Sequence, residues 1–197
     1  YALEGNILVS ASILPWTVDL LGLPSVDALM ELAQTVPSTL GVSLVPAHVG
    51  LGSPHWNAEA RGLVSGLSFS SGRAHVARAA AESIAFQVND VFEIIRANAG
   101  QKIGRLFVDG GPSRNPFLMQ MVADYIDNPV ITSESADASA RGAAYLAGLA
   151  VGMWPDLSTV AGLEPHDEAI SPSMDATARA RAISTWALAI ERSTLGT

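Results

Sequence analysis

Apolar positions in this chain fall into helix-length stretches with a three-to-four-residue repeat and into short apolar runs bounded by glycine or proline. Residues 7–21 carry a mainly apolar helical pattern after Gly5-Asn6, and Pro15 inside it predicts either a kink or an early helix turn. Ser25-Val26-Asp27 opens a second helix. Val42 to Pro46 reads as a short strand, followed by a glycine-rich loop from Ala47 to Glu59 that holds His48, Pro54, His55 and Trp56. A loop of that length and composition usually faces something. Arg61 to Leu67 reads as a further strand. Gly72-Arg73-Ala74-His75 then leads into the longest helix, which runs to about Ala99 and stops at Gly100.

In the second half, Leu106–Val108 forms a strand that runs through Gly110-Gly111 into a helix ending near Ile126. Pro129-Val130-Ile131 makes the last short strand, and Ala136 to Val151 a small-residue helix whose Ala and Gly faces allow close packing. The stretch from Ser158 to Ser171 is polar, and Asp175 to Ser193 closes as an Ala-rich amphipathic helix. Alternating strands and helices predict an α/β fold with helices layered over a central sheet. With 197 residues, about half of them apolar, the chain can bury one substantial core, so residues 1–197 are read as one domain. No internal repeat or low-complexity linker interrupts it.

Charge and composition narrow the partners. A net charge of −8, with no basic cluster, argues against nucleic acid and anionic lipid as ligands. The absence of cysteine excludes disulfides, thiol catalysis and Cys-ligated zinc. The most apolar run, Gly142 to Trp154, is too short to span a bilayer and is broken by glycines. Nothing at Tyr1-Ala2-Leu3-Glu4-Gly5 reads as a secretory leader, so no membrane span and a cytoplasmic location are expected.

The chemistry-bearing feature is the turn Asp109-Gly110-Gly111-Pro112-Ser113-Arg114-Asn115. Paired glycines remove the Cβ atoms that keep a ligand off the backbone, and a helix start offers unpaired N–H groups to a phosphate or a base. Alone, such a turn is more often a tight connection than a site. His48, His55 and Glu59 share one loop without metal-ligand spacing, and no metal is assigned to them. His75 reads as a surface or capping residue, and Glu82 equally as a buried or ion-paired structural acid or as a functional carboxylate. Glu134 and Asp137 read as carboxylates favoured at the start of the Ala-rich helix. Gly-x-Ser-x-Gly, Walker and Gly-x-Gly-x-x-Gly motifs are all missing, which disfavours serine hydrolases, P-loop enzymes and Rossmann dehydrogenases. Trp16, Trp56, Trp154 and Trp186 are scattered and read as packing or surface contacts.

The order of these pieces resembles the C-terminal lobe of the FGGY carbohydrate kinases, the family of glycerol, xylulose, ribulose and related sugar or polyol kinases. Four blocks carry the resemblance: Tyr1 to Gly5 leading to Trp16; Val45-Pro46-Ala47 with Gly50 to Trp56 and Ala60-Arg61-Gly62; Asp109-Gly110-Gly111 with Asn115 and Phe117 to Gln120; and Gly142 to Gly148. The family's second signature is matched from Gly62-Leu63-Val64-Ser65-Gly66-Leu67, across a seven-residue gap, to His75, Ala79 and Glu82, with Ala81 where a larger apolar residue is usual.

The resemblance implies an actin-like ATPase (ribonuclease H-like) lobe with a mixed central sheet, closing with a sugar-binding N-terminal lobe over ATP, Mg²⁺ and a sugar or polyol. Gly111 and Asn115 match the family's adenine-side contacts, Gly110 shapes the turn, and Ala11 lies where backbone approaches the phosphates. Ala11 in place of glycine, and Pro15 in place of a nucleotide-contacting glutamine, disfavour a glycerol kinase relative to a sugar or longer-polyol member. Arg141 replaces a usual leucine before Gly142. The catalytic aspartate and the Gly-Thr phosphate hairpin of the family belong to segments absent from this chain, so no catalytic residue and no protein metal ligand is assigned. The alternative is a non-catalytic actin-like nucleotide-binding or interaction module. The face from His48 to Trp56 is expected to permit homo-oligomerisation.

Overall fold

A 26-residue helix, α3 (Arg73–Asn98), is the axis on which the rest of the chain is packed. Its middle carries Ala77, Ala79, Ala80, Ala81 and Ala85, all buried, and these small side chains let neighbours approach on several sides. The computed structural model describes residues 2–100, 102–132, 138–163 and 169–195. Tyr1, Glu134 and Asp137, which enter the sequence reading, lie outside the described residues.

Helix α1 (Ile13–Leu21) begins only after the turn at Ser10–Ser12, so Pro15 falls in its first turn. The N–H that proline lacks is one of the helix's orphan donors there, and no kink is needed. Gly22, at φ 60°, ends α1. Ser25 then caps α2 (Val26–Gln34) by accepting the Ala28 N–H at 3.1 Å. Helix α4 (Pro116–Ile126) and the C-terminal helix α7 (Ala176–Ser193) pack against α3 through an aromatic stack. Phe86 on α3 lies 4.2 Å from the ring of Tyr125 and 5.2 Å from that of Trp186.

The expected single central sheet is divided in two among the described residues. Strands β1 (Ser43–Val45) and β2 (Leu63–Ser65) pair antiparallel. Strands β3 (Leu106–Val108) and β4 (Val130–Thr132) run parallel, and β5 (Ala169–Ile170) adds antiparallel to β4, which makes this sheet mixed. The strands are two or three residues long. A short helix, α6 (Leu157–Ala161), and β5 lie in and beside the polar stretch from Ser158 to Ser171, where the sequence pattern predicts no element. Two residues offer no alternation to detect. Helix α5 (Ala138–Ala150) follows the expected small-residue pattern, and Gly148 admits the Trp154 ring, which a Cβ at that position would strike.

Candidate functional site

The double-glycine turn leaves β3 through Gly110, at φ 96° and ψ 173°, a conformation open to glycine and closed to side-chain-bearing residues. Its N–H donates to Oδ1 of Asp109 at 2.7 Å, and its carbonyl accepts both the N–H and the Oγ–H of Ser113, at 3.1 and 2.7 Å. The chain next forms one 3₁₀ turn, Gly111–Arg114, before α4 begins. Contrary to the expected passage from the glycines straight into the helix, this turn separates them from α4. Asn115 opens it: its Oδ1 accepts the Leu118 N–H at 3.0 Å, and Pro116 takes the first helical position.

This turn forms one wall of a cavity of about 480 Å³. Gly111, Pro112, Arg114, Asn115, Pro116 and Leu118 line that wall. Ala11, Leu14 and Pro15 from the start of α1, with Val26, Asp27 and Met30 from α2, form the other. Leu14, Met30 and Leu118 are buried, which makes the floor apolar, while Asp27 and Arg114 are exposed at the rim. A concave apolar pocket with a few convergent polar groups suits a flat heterocycle carrying a charged tail. Three of the four predicted site residues, Ala11, Gly111 and Asn115, meet in it; Gly110 does not line it and acts through the turn. A Cβ added to Gly111 would meet no atom within 4 Å, so the protein's own packing does not require glycine there.

The sequence reading missed Asp27, Met30 and Arg114 as lining residues. The spacing of Val26 and Met30 is the available signal, since residues four apart share a helix face. Nothing in the sequence told which wall that face would meet.

Behind the cavity lies a buried charged cluster. Arg78 donates Nε to Oε1 of Glu82 at 2.8 Å, and Tyr125 lies beside the same carboxylate. Burial pushes the Glu82 carboxyl above its usual range, and the neighbouring Arg78 only partly opposes that. Burial and the adjacent Glu82 carboxylate push the Tyr125 phenol up as well. A second cavity, of about 420 Å³, opens on this cluster between residues 37–43 and α7.

The histidines take other positions. His48 meets the Trp16 ring edge-on at 4.4 Å, His55 Nε2 lies 3.1 Å from Oδ2 of Asp90, and His75 Nδ1 accepts the Gly72 N–H at 3.0 Å as a cap of α3. Among the described residues no group of three or more His, Asp or Glu side chains is placed to hold a metal. No single described helix is long and apolar enough to cross a membrane.

Residues 1–151 match the family model of the FGGY family of carbohydrate kinases, C-terminal domain. The chain belongs to that family. Over 194 residues it is 44% identical to a glycerol kinase of Dechloromonas aromatica, covering 98% of this chain and 39% of that protein. A glycerol kinase of Rhodopirellula baltica is 45% identical, with 98% and 36% covered. The fold is shared with Plasmodium falciparum glycerol kinase with ADP, at a TM-score of 0.88 and 30% identity over 97% of this chain and 38% of that one. It is also shared with a xylulose kinase of Rhodospirillum rubrum, at a TM-score of 0.77 and 28% identity, with 92% and 38% covered. This FGGY chain thus has an actin-like kinase fold and spans about two-fifths of the length of the curated relatives it matches. Pro15 occupies a first-turn position that tolerates proline without moving the backbone.

Proposed function

We propose that this chain is the nucleotide-binding lobe of an ATP-dependent FGGY kinase that transfers the γ-phosphoryl group to a hydroxyl of a sugar or polyol, with glycerol the first acceptor to test. The observation that carries the reading is the meeting of Ala11 and Asn115, far apart in sequence, on one apolar cavity floored by Leu14, Met30 and Leu118. The adenine ring fits between the two walls. Gly111 admits the ligand close to the backbone because no side chain intervenes, and the Asn115 amide supplies a polar contact beside it. Gly110 holds the turn in the conformation that presents both. Ala11, at the mouth of α1, is the point nearest the phosphates.

Phosphoryl transfer depends on in-line placement and charge neutralisation. Among the described residues Asp27 is the one carboxylate lining the cavity, and a hard divalent cation is generally held by carboxylates together with substrate phosphates. Mg²⁺ would therefore arrive bound to the phosphates, and these residues would supply base and ribose contacts without forming a metal cage. The catalytic base and most acceptor contacts belong to a second lobe, so the lobe alone binds nucleotide without turnover.

A coupled ADP-release assay on the complete two-lobed protein, with Mg-ATP and a panel beginning with glycerol and including ketoses and longer polyols, tests this reading. Release that depends on one acceptor is expected. ADP binding with no acceptor-dependent release across the panel would instead indicate the non-catalytic nucleotide-binding module.

A further inference from the structure

One side chain that does not line the nucleotide cavity joins its two walls from behind. Arg78, on α3, donates Nη1 to the Val36 carbonyl at 2.8 Å, two residues past the end of α2. Its guanidinium also lies over the Phe117 ring, 5.5 Å from the centroid. Phe117 sits between Pro116 and Leu118, which line one wall; α2 supplies Asp27 and Met30 to the other. The remaining edge of the guanidinium is fixed by Glu82, whose Oε1 accepts Nε at 2.8 Å. Carbonyl, carboxylate and ring thus take up the plane, the fork and the face that distinguish arginine from lysine.

Stability alone is a poor reason for this arrangement. Burying an ion pair costs desolvation that well-packed apolar side chains avoid. Burial raises Glu82 despite its partner, which indicates that the cost is incompletely offset here. Fixed spacing is what the three contacts provide: α2 cannot move relative to the first turn of α4 without breaking one of them.

We infer that Arg78 is a positioning residue for the nucleotide site, setting the distance between α2 and the Gly111–Asn115 turn without touching the ligand. This rests on the nucleotide reading above. Arg78 also borders the second cavity, which gives a small cation access to its place if the side chain is removed.

The test is calorimetric titration of ADP into the wild-type protein, Arg78→Ala, Arg78→Lys and Phe117→Leu, each with its melting temperature. Arg78→Ala should weaken ADP binding about tenfold. Arg78→Lys should stay weakened, because an ammonium cannot serve ring, carbonyl and carboxylate together. Added methylguanidinium should restore part of the affinity of Arg78→Ala and none of Arg78→Lys. Phe117→Leu, which keeps both hydrogen bonds, should also weaken ADP binding, and it carries the test if Arg78→Ala does not fold. Arg179→Gln, which breaks an ion pair with Asp127 (3.0 Å) at the far end of α4, controls for stability and should leave ADP affinity unchanged. Wild-type affinity in folded Arg78 and Phe117 variants overturns the inference, as does weakening that only follows the unfolded fraction and is not rescued. Failure of the wild-type protein to bind ADP overturns the nucleotide reading itself, and the Arg78 inference with it.

Discussion

Trp186 donates its indole Nε1–H to Oδ2 of Asp90 at 2.8 Å, a bond that fastens the C-terminal helix to α3 from a side chain otherwise 2% exposed. The same oxygen lies 3.1 Å from Nε2 of His55, so one carboxylate holds both α7 and the long loop between β1 and β2. Asp90→Ala would leave the indole N–H buried without an acceptor and should cost about 1–3 kcal/mol. Asp90→Asn keeps an acceptor and should cost less. Urea unfolding of the two variants compares them, and equal losses would mean that the indole bond is not what the carboxylate contributes.

Asn115 has two roles that substitution can separate. Its Oδ1 caps α4, and its amide is proposed to meet the nucleotide. Asn115→Ala should lose about 1 kcal/mol of stability and bind ADP more weakly. Asn115→Asp retains the cap, so its melting temperature should stay near wild type while ADP affinity still falls. Unchanged ADP affinity in Asn115→Asp would show that the cap alone matters.

The adjacent glycines should respond oppositely. Gly110→Ala forces a Cβ into a backbone region that is essentially glycine-only and should cost about 1–3 kcal/mol. Gly111→Ala meets open space and should change stability by no more than about 0.5 kcal/mol, yet it places a methyl group in the cavity and should weaken ADP binding. Thermal melts with and without ADP read both effects; a strongly destabilised Gly111→Ala would locate its purpose in the fold.

Glu82 gives a pH signature. Because its carboxyl is raised in the folded state, the folded protein holds that proton more tightly than the unfolded chain. Its contribution to stability is fully present below the ordinary carboxylate range and is lost as pH rises through the raised value. Glutamine resembles the protonated form at every pH. The stability of Glu82→Gln relative to wild type should therefore increase between about pH 4 and about pH 7, measured by urea unfolding across that range. A relative decrease would mean that Arg78 outweighs burial.

Where local rules decide, the sequence was readable. Ser25, Gly100 and Asp175 marked helix ends, and the long Ala-rich pattern from Arg73 gave α3 nearly to the residue. The Asp109–Asn115 turn was located by its glycines, and with Ala11 it was tied to a nucleotide through the family resemblance. Local rules do not say which distant helix faces that turn, so Asp27 and Met30 remained hidden. Nor could periodicity show that Asp90 serves Trp186 and His55 at once, because each of those contacts spans many residues. β5 escaped for the same reason: Ala169-Ile170 is a strand only because β4 lies beside it.

The cavity's two walls come from residues 11–30 and 111–118, and neither encloses a ligand by itself. Both walls pack on α3. The site therefore rests on contacts distant in sequence, which carry the larger loop-closure cost. A nucleotide that binds only the finished arrangement draws the population toward it by mass action. If the cavity takes the nucleotide proposed for it, the ligand would hold residues 11–30 against residues 111–118, and ADP should raise the melting temperature of the protein.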